Sequence, residues 1–121
     1  MSTSETSVFL AAVREKLERH LIGEGYQRSR HQEQLEDYGR FYSVFEKPER
    51  LIRFIWDGRE GTLTFRIYSR RNWGMKLMRA LAGGTAGDEK LLREVLVRRH
   101  EIATLTEEEL KLRLLQALND K

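Results

Sequence analysis

The sequence predicts an α+β domain: an antiparallel β-meander of three to four strands, flanked by an N-terminal helix and two to three C-terminal helices. Three observations carry this expectation. Apolar residues recur every four positions between 6 and 22. Aromatic and β-branched runs joined by short turns fill 40 to 68, and amphipathic repeats return after 73. Turns this short leave the strands antiparallel, because parallel pairing needs a long crossover. A chain of 121 residues with 40% hydrophobic content suits one core, so residues 1–121 are expected to form a single domain behind a flexible stretch at 1–5.

In chain order, Phe9, Val13, Leu17 and Leu21 define the apolar stripe of the first helix, and Gly23 and Gly25 stop it near Ile22. Residues 26 to 37 are polar, with Leu35 as the one clear anchor, and read as a first strand or an exposed loop. Arg40 to Glu46 reads as a strand closed by Pro48, the only proline. The strongest local signal is a β-hairpin, Leu51–Trp56 and Thr62–Tyr68 around the turn Asp57-Gly-Arg-Glu-Gly61. Its alternation assigns Ile52, Phe54, Trp56, Leu63, Phe65 and Ile67 to the core and leaves Leu51, Arg53, Ile55, Thr62, Thr64, Arg66 and Tyr68 on the second face. Residues 73–82 read as a short helix and 83–87 as a flexible glycine-rich linker. Asp88 then caps a helix burying Leu91, Leu92, Val95 and Leu96. Thr106 and Glu109 form a capping box ahead of a last helix carrying Leu110, Leu114, Leu115 and Leu118.

The chain has no cysteine, which removes disulfides, thiolate metal sites and cysteine nucleophiles and fits a cytoplasmic protein folding in a reducing compartment. Its first residues are polar and acidic, unlike a secretory signal, and no apolar run approaches the roughly 20 residues of a membrane span, so no membrane role is expected. The net charge of +3 is unevenly placed. Nine Lys/Arg face three carboxylates between Arg66 and Arg99.

Catalytic motifs are sparse. His31-Gln-Glu33 matches half of a zinc-deaminase signature whose cysteine half cannot exist here. His20, His31 and His100 lack the spacing of metal ligands on one helix face. Gly83-Gly-Thr-Ala-Gly87 lacks the Gly-Lys-Ser/Thr of a phosphate loop and is followed by Asp88 and Glu89, which repel phosphate. Gly23-Glu-Gly25 lacks the third glycine of a dinucleotide fingerprint. Asp57, Glu60 and Glu46 sit at strand ends, where metal nucleases hold carboxylates, but no Glu-x-Lys follows on a strand; the one such triplet, Glu109-Leu-Lys111, falls in a helix. A metal-independent ribonuclease would need His31 or His100 beside Arg53 and Arg66. No cofactor is expected.

Two surfaces stand out. The second hairpin face joins Leu51, Ile55 and Tyr68 to Arg53 and Arg66, too apolar for a plain solvent face and suited to another protein or a second copy of the chain. The segment containing Arg70, Arg71, Trp73, Lys76 and Arg79 interleaves aromatic and basic residues, the composition that grips phosphates and stacks on bases, and carries the alternative nucleic-acid reading.

The helix ending at His20-Leu-Ile-Gly-Glu-Gly-Tyr26, the meander from Phe41 through Trp56-Asp-Gly-Arg-Glu-Gly61 and the C-terminal helices together resemble the small bacterial α+β immunity-type proteins. The resemblance implies a non-enzymatic binder that neutralises a toxin or effector, and it carries over no catalytic residue. The positive net charge points such a binder toward a neutral or acidic partner.

Overall fold

A computed structural model describes residues 3–34, 39–70 and 89–119, with side chains from Glu5 onward. Helix α1 spans Thr3–Gly23. It is followed by strands β1 (Gln27–Gln34), β2 (Arg40–Lys47), β3 (Arg50–Asp57), β4 (Thr62–Arg70) and β5 (Glu89–Arg98), then α2 (Arg99–Ile102) and α3 (Glu107–Asn119). The class is α+β, as expected, and the five strands form one antiparallel sheet in sequential order β1 to β5.

Helix α1 begins at Thr3, so residues 3–5 are helical. Its far end is a Schellman motif: Tyr26 N–H donates to Leu21 O at 2.9 Å and Gly25 N–H to Ile22 O at 3.1 Å. Gly25 supplies the left-handed residue this motif needs, at φ 99°. The motif also folds Tyr26 back beside Leu21, and both are buried. The chain therefore leaves the helix aimed at the first strand.

The hairpin assignment holds residue by residue. Phe41 faces Trp56, Ser43 faces Phe54 and Phe45 faces Ile52; across the next ladder Trp56 faces Leu63, Phe54 faces Phe65 and Ile52 faces Ile67. All of these are buried, and Leu10, Val13, Leu17 and Leu21 of α1, Ile102 of α2, and Leu110, Leu114, Leu115 and Ala117 of α3 cover them. Each such side chain contributes about 1.5–3 kcal/mol by leaving water. The inner face of the sheet is thus the core, and the described helices all pack on that side.

Two turns set the strand register. Pro48-Glu49 joins β2 to β3 with Lys47 opposite Arg50. In the β3–β4 turn Asp57 Oδ1 accepts the N–H groups of Arg59 at 3.0 Å and Glu60 at 3.2 Å, while Gly61 turns with φ 69°. Arg99 holds this turn from α2, its N–H donating to Gly61 O at 2.8 Å and its guanidinium to Gly58 O. The expected capping box opens α3: Thr106 N–H donates to Glu109 Oε1 at 3.0 Å and Glu109 N–H to Thr106 Oγ1 at 3.1 Å.

The principal correction is β5. Residues 89–98, expected as a helix burying Leu91, Leu92, Val95 and Leu96, form a strand on β4, which raises the count from three or four strands to five. The residues Leu91, Leu92, Val95 and Leu96 satisfy helical spacing, but β-branched Val95 and Val97 also alternate. In the strand they fall opposite Phe65 and Leu63 on the core face. Pairing the open side of β4 outweighs the small helical preference of the segment. Leu91, Leu92 and Leu96 consequently emerge half-exposed. The low-contrast segment after Tyr26 is a strand, β1, but the anchor proposed for it, Leu35, lies outside the described residues, as do the helix at 73–82 and the linker at 83–87.

Candidate functional site

Because side chains alternate across a strand, the residues opposite the core share the outer face. Four rows cross it: Tyr42, Ile55, Thr64 and Leu96; Val44, Arg53, Arg66 and Glu94; Glu46, Leu51, Tyr68 and Leu91; and Arg40, Asp57, Thr62 and Arg98. The five residues singled out as a binding set, Leu51, Arg53, Ile55, Arg66 and Tyr68, therefore lie together on one face, with Leu51 directly across from Tyr68 and Arg53 from Arg66.

Their environments differ. Leu51 is only 4% exposed and Val44 6%, so both are packed within the protein despite their outward direction. Arg53 lies 4.9 Å from the Tyr68 ring and 3.6 Å from Glu89, and its Nε is buried without an acceptor. Arg66 Nε donates to Glu94 at 2.8 Å, and this bond raises the guanidinium pKa above its ordinary value. Arg70 Nη1 donates to Glu46 at 2.7 Å. Two of the three glutamates, Glu89 and Glu94, come from β5, so the strand missing from the sequence reading balances the arginines that reading left bare. It also adds Leu91 and Leu96, 46% and 45% exposed, to the apolar part of the face.

His31 stands on β1 opposite Ser43, on the inner face, whereas Arg53 and Arg66 point outward and His100 sits on α2. Neither the cleft lined by Gln32, Glu33, Gln34, Arg40, Phe41 and Tyr42 nor the one beside the end of α1 includes any of these residues. Asp57 and Glu46 occupy opposite ends of the β2–β3 ladder, Asp57 committed to its turn and Glu46 to Arg70. Among the described residues no cluster of histidine, aspartate and glutamate has the geometry to hold a metal ion.

One arrangement escaped the sequence reading. His31 Nδ1 lies 2.6 Å from Ser43 Oγ and His31 Nε2 lies 3.0 Å from Glu33 Oε1, a Ser–His–Glu row that outlines a nucleophile, base and orienting acid. Ser43, however, is fully buried between Phe41 and Phe45 on the core face, and no substrate carbonyl can approach its oxygen. The row satisfies a buried hydroxyl at the sheet edge. The signal that could have found it is the register of β1 against β2, which a polar strand does not advertise.

A cleft of about 210 Å³ beside the end of α1 is lined by His20, Glu24, Tyr26, Lys47, Glu49 and Arg50 among others. Lys47 Nζ sits 4.8 Å from the Tyr26 ring, and burial pushes the Tyr26 phenol above its ordinary pKa against the opposing pull of Arg50. The cleft holds mixed charges and no arranged nucleophile. Of the nucleic-acid set, only Arg70 lies within the described residues, and its guanidinium is committed to Glu46. No described helix is long and apolar enough to cross a membrane. No protein-family model, curated protein or solved structure matches the chain.

Proposed function

We propose that this chain is a non-enzymatic protein-binding module that engages its partner through the outer sheet face. The observation carrying this reading is the composition of that face: Ile55, Tyr42, Tyr68, Leu91 and Leu96 surround Arg53 and Arg66, on the side away from every described helix. Aromatic and arginine side chains amid aliphatic ones are the residues that dominate protein interfaces. Leu51, on the same face but buried, packs within the protein instead of touching the partner. The immunity-type resemblance narrows the reading to a toxin or effector as partner, with neutral or acidic surface.

The test is an affinity capture from native lysate with and without nuclease, repeated with Ile55→Glu and with Leu112→Glu, an exposed position on α3. A defined protein captured by the parent chain and by Leu112→Glu, but lost with Ile55→Glu at unchanged thermal stability, supports the reading. Equal capture by all three chains overturns the placement of the interface. Material that disappears on nuclease treatment favours a nucleic-acid role instead.

A further inference from the structure

The two edges of the sheet are built differently. At one edge, β1 reads Gln-Arg-Ser-Arg-His-Gln-Glu-Gln, without an apolar side chain to invite pairing. At the other, β5 runs ten residues with five charged side chains and a register irregularity at Leu92, and still leaves Leu91, Leu92 and Leu96 between 45% and 47% exposed. A long edge strand with exposed leucines is a template for another strand, which proteins normally blunt with charge, proline or a short edge. We infer that β5 pairs antiparallel with β5 of a second copy, about a two-fold axis through Leu96, joining two sheets into one of ten strands.

The backbone supports this placement. Arg99 N–H donates to Gly61 O, and Val97 opposite Leu63 and Val95 opposite Phe65 continue the same alternation. Their amides and carbonyls therefore face β4, and those of Glu94 and Leu96 face outward, along an edge with no paired strand among the described residues. A two-fold axis perpendicular to a sheet keeps both inner faces on one side, so only residues of equal parity can oppose each other. With the axis at Leu96, Leu96 meets Leu96 of the second copy on the outer face. Glu94, already bonded to Arg66 through Oε2, then also meets Arg98 of the second copy, and the symmetry makes that contact twice. Val95 meets Val97 on the core side. Reciprocal bonds between the two Leu96 residues form the centre of the ladder, and the Arg98 carbonyl, as the N-cap of α2, stays with its helix. Arg98 N–H stays with Glu101, 3.2 Å away.

Neighbouring registers lack this agreement. An axis at Glu94 sets Glu94 against itself, and an axis at Arg93 sets Arg93 against itself. An axis at Val95 places Leu92 opposite Arg98 and Glu94 opposite Leu96. Charge thus selects one register among those an apolar edge would permit. The paired stretch is short, Glu94 to Arg98, so the association is weak and concentration-dependent.

The chain has no cysteine, so a single one reports the register directly. Across a hydrogen-bonded antiparallel pair the Cα atoms lie about 5.5 Å apart, within disulfide reach. In mild oxidant, Leu96→Cys is expected to form a covalent dimer at least about tenfold faster than Leu92→Cys, which is equally exposed but has no symmetry mate. Sedimentation equilibrium of the parent chain from about 10 µM to about 1 mM should show the mass rising toward twice the monomer, and Arg98→Glu should lower the association constant about tenfold or more. A constant monomer mass throughout, or equal cross-linking at both positions, overturns the inference. Either failure leaves the outer-face reading standing, because Ile55 lies two strands from the edge and its capture experiment is read separately.

Discussion

Replacing Leu51 with alanine separates a contact residue from a structural one. Leu51 points to the outer face, between Glu46 on β2 and Tyr68 on β4, yet only 4% of it meets water. Removing a buried leucine's terminal carbons forfeits their transfer energy and leaves a cavity, together about 2–5 kcal/mol. The long side chains flanking Leu51 can close part of the gap, which places the expected loss near the lower end, about 2–3 kcal/mol. At about 2.1 cal/mol/K per residue, 121 residues give an unfolding entropy of about 250 cal/mol/K, so the midpoint should fall by about 8–12 °C. The assay is thermal and urea unfolding followed by circular dichroism, with Leu96→Ala as the companion. At 45% exposed, Leu96 should cost no more than about 1 kcal/mol. A loss below about 0.5 kcal/mol for Leu51→Ala would refute the reasoning, because it would mean the side chain is solvated and belongs to the contact surface after all.

Other outcomes follow from single groups. Thr106→Ala removes one half of the reciprocal cap on α3 and should cost about 1 kcal/mol in urea unfolding, with Thr106→Ser retaining most of it. Burial raises the Tyr26 pKa, so folding favours the neutral phenol: the stabilisation is full below the unfolded value of about 10 and fades as pH rises through the folded value. Urea midpoints measured from about pH 9 to pH 11 should fall more for the parent chain than for Tyr26→Phe. Ser43 should resist an organophosphorus serine probe in the native protein despite its 2.6 Å contact with His31; rapid labelling would show that the core face opens there.

How far the sequence reveals this molecule depends on how strongly each segment's pattern excludes other structures. The hairpin alternates apolar and polar residues over two runs joined by a glycine turn, and a slip of one residue would expose Phe54 and Phe65. Its core and outer sets are therefore legible. The cap at Thr106 and the stop at Gly25 are equally legible, because each is a local hydrogen-bonding requirement met by particular residue types. The polar strand β1 has no such pattern. Its register is set by its partner, which is why the contact of His31 with Ser43 could not be foreseen.

Residues 89–98 are the instructive case, because the misread segment and the candidate surface are one piece of chain. Leucines at 91, 92 and 96 suggest burial when placed on a helix. On a strand fixed by Val95 and Val97 against β4, Leu96 must fall on the outer face, a register irregularity at Leu92 returns Leu91 to it, and all three leucines come out half-exposed. The same change of structure brings Glu89 to Arg53 and Glu94 to Arg66. Arginines that look like a bare basic patch in the sequence thereby become paired groups set among apolar side chains. Such a surface loses less on desolvation than free charges would, since each guanidinium already has a carboxylate beside it. The strand that defeats local propensity thus turns a basic face into one suited to a protein partner, and supplies the edge at which a second copy can join.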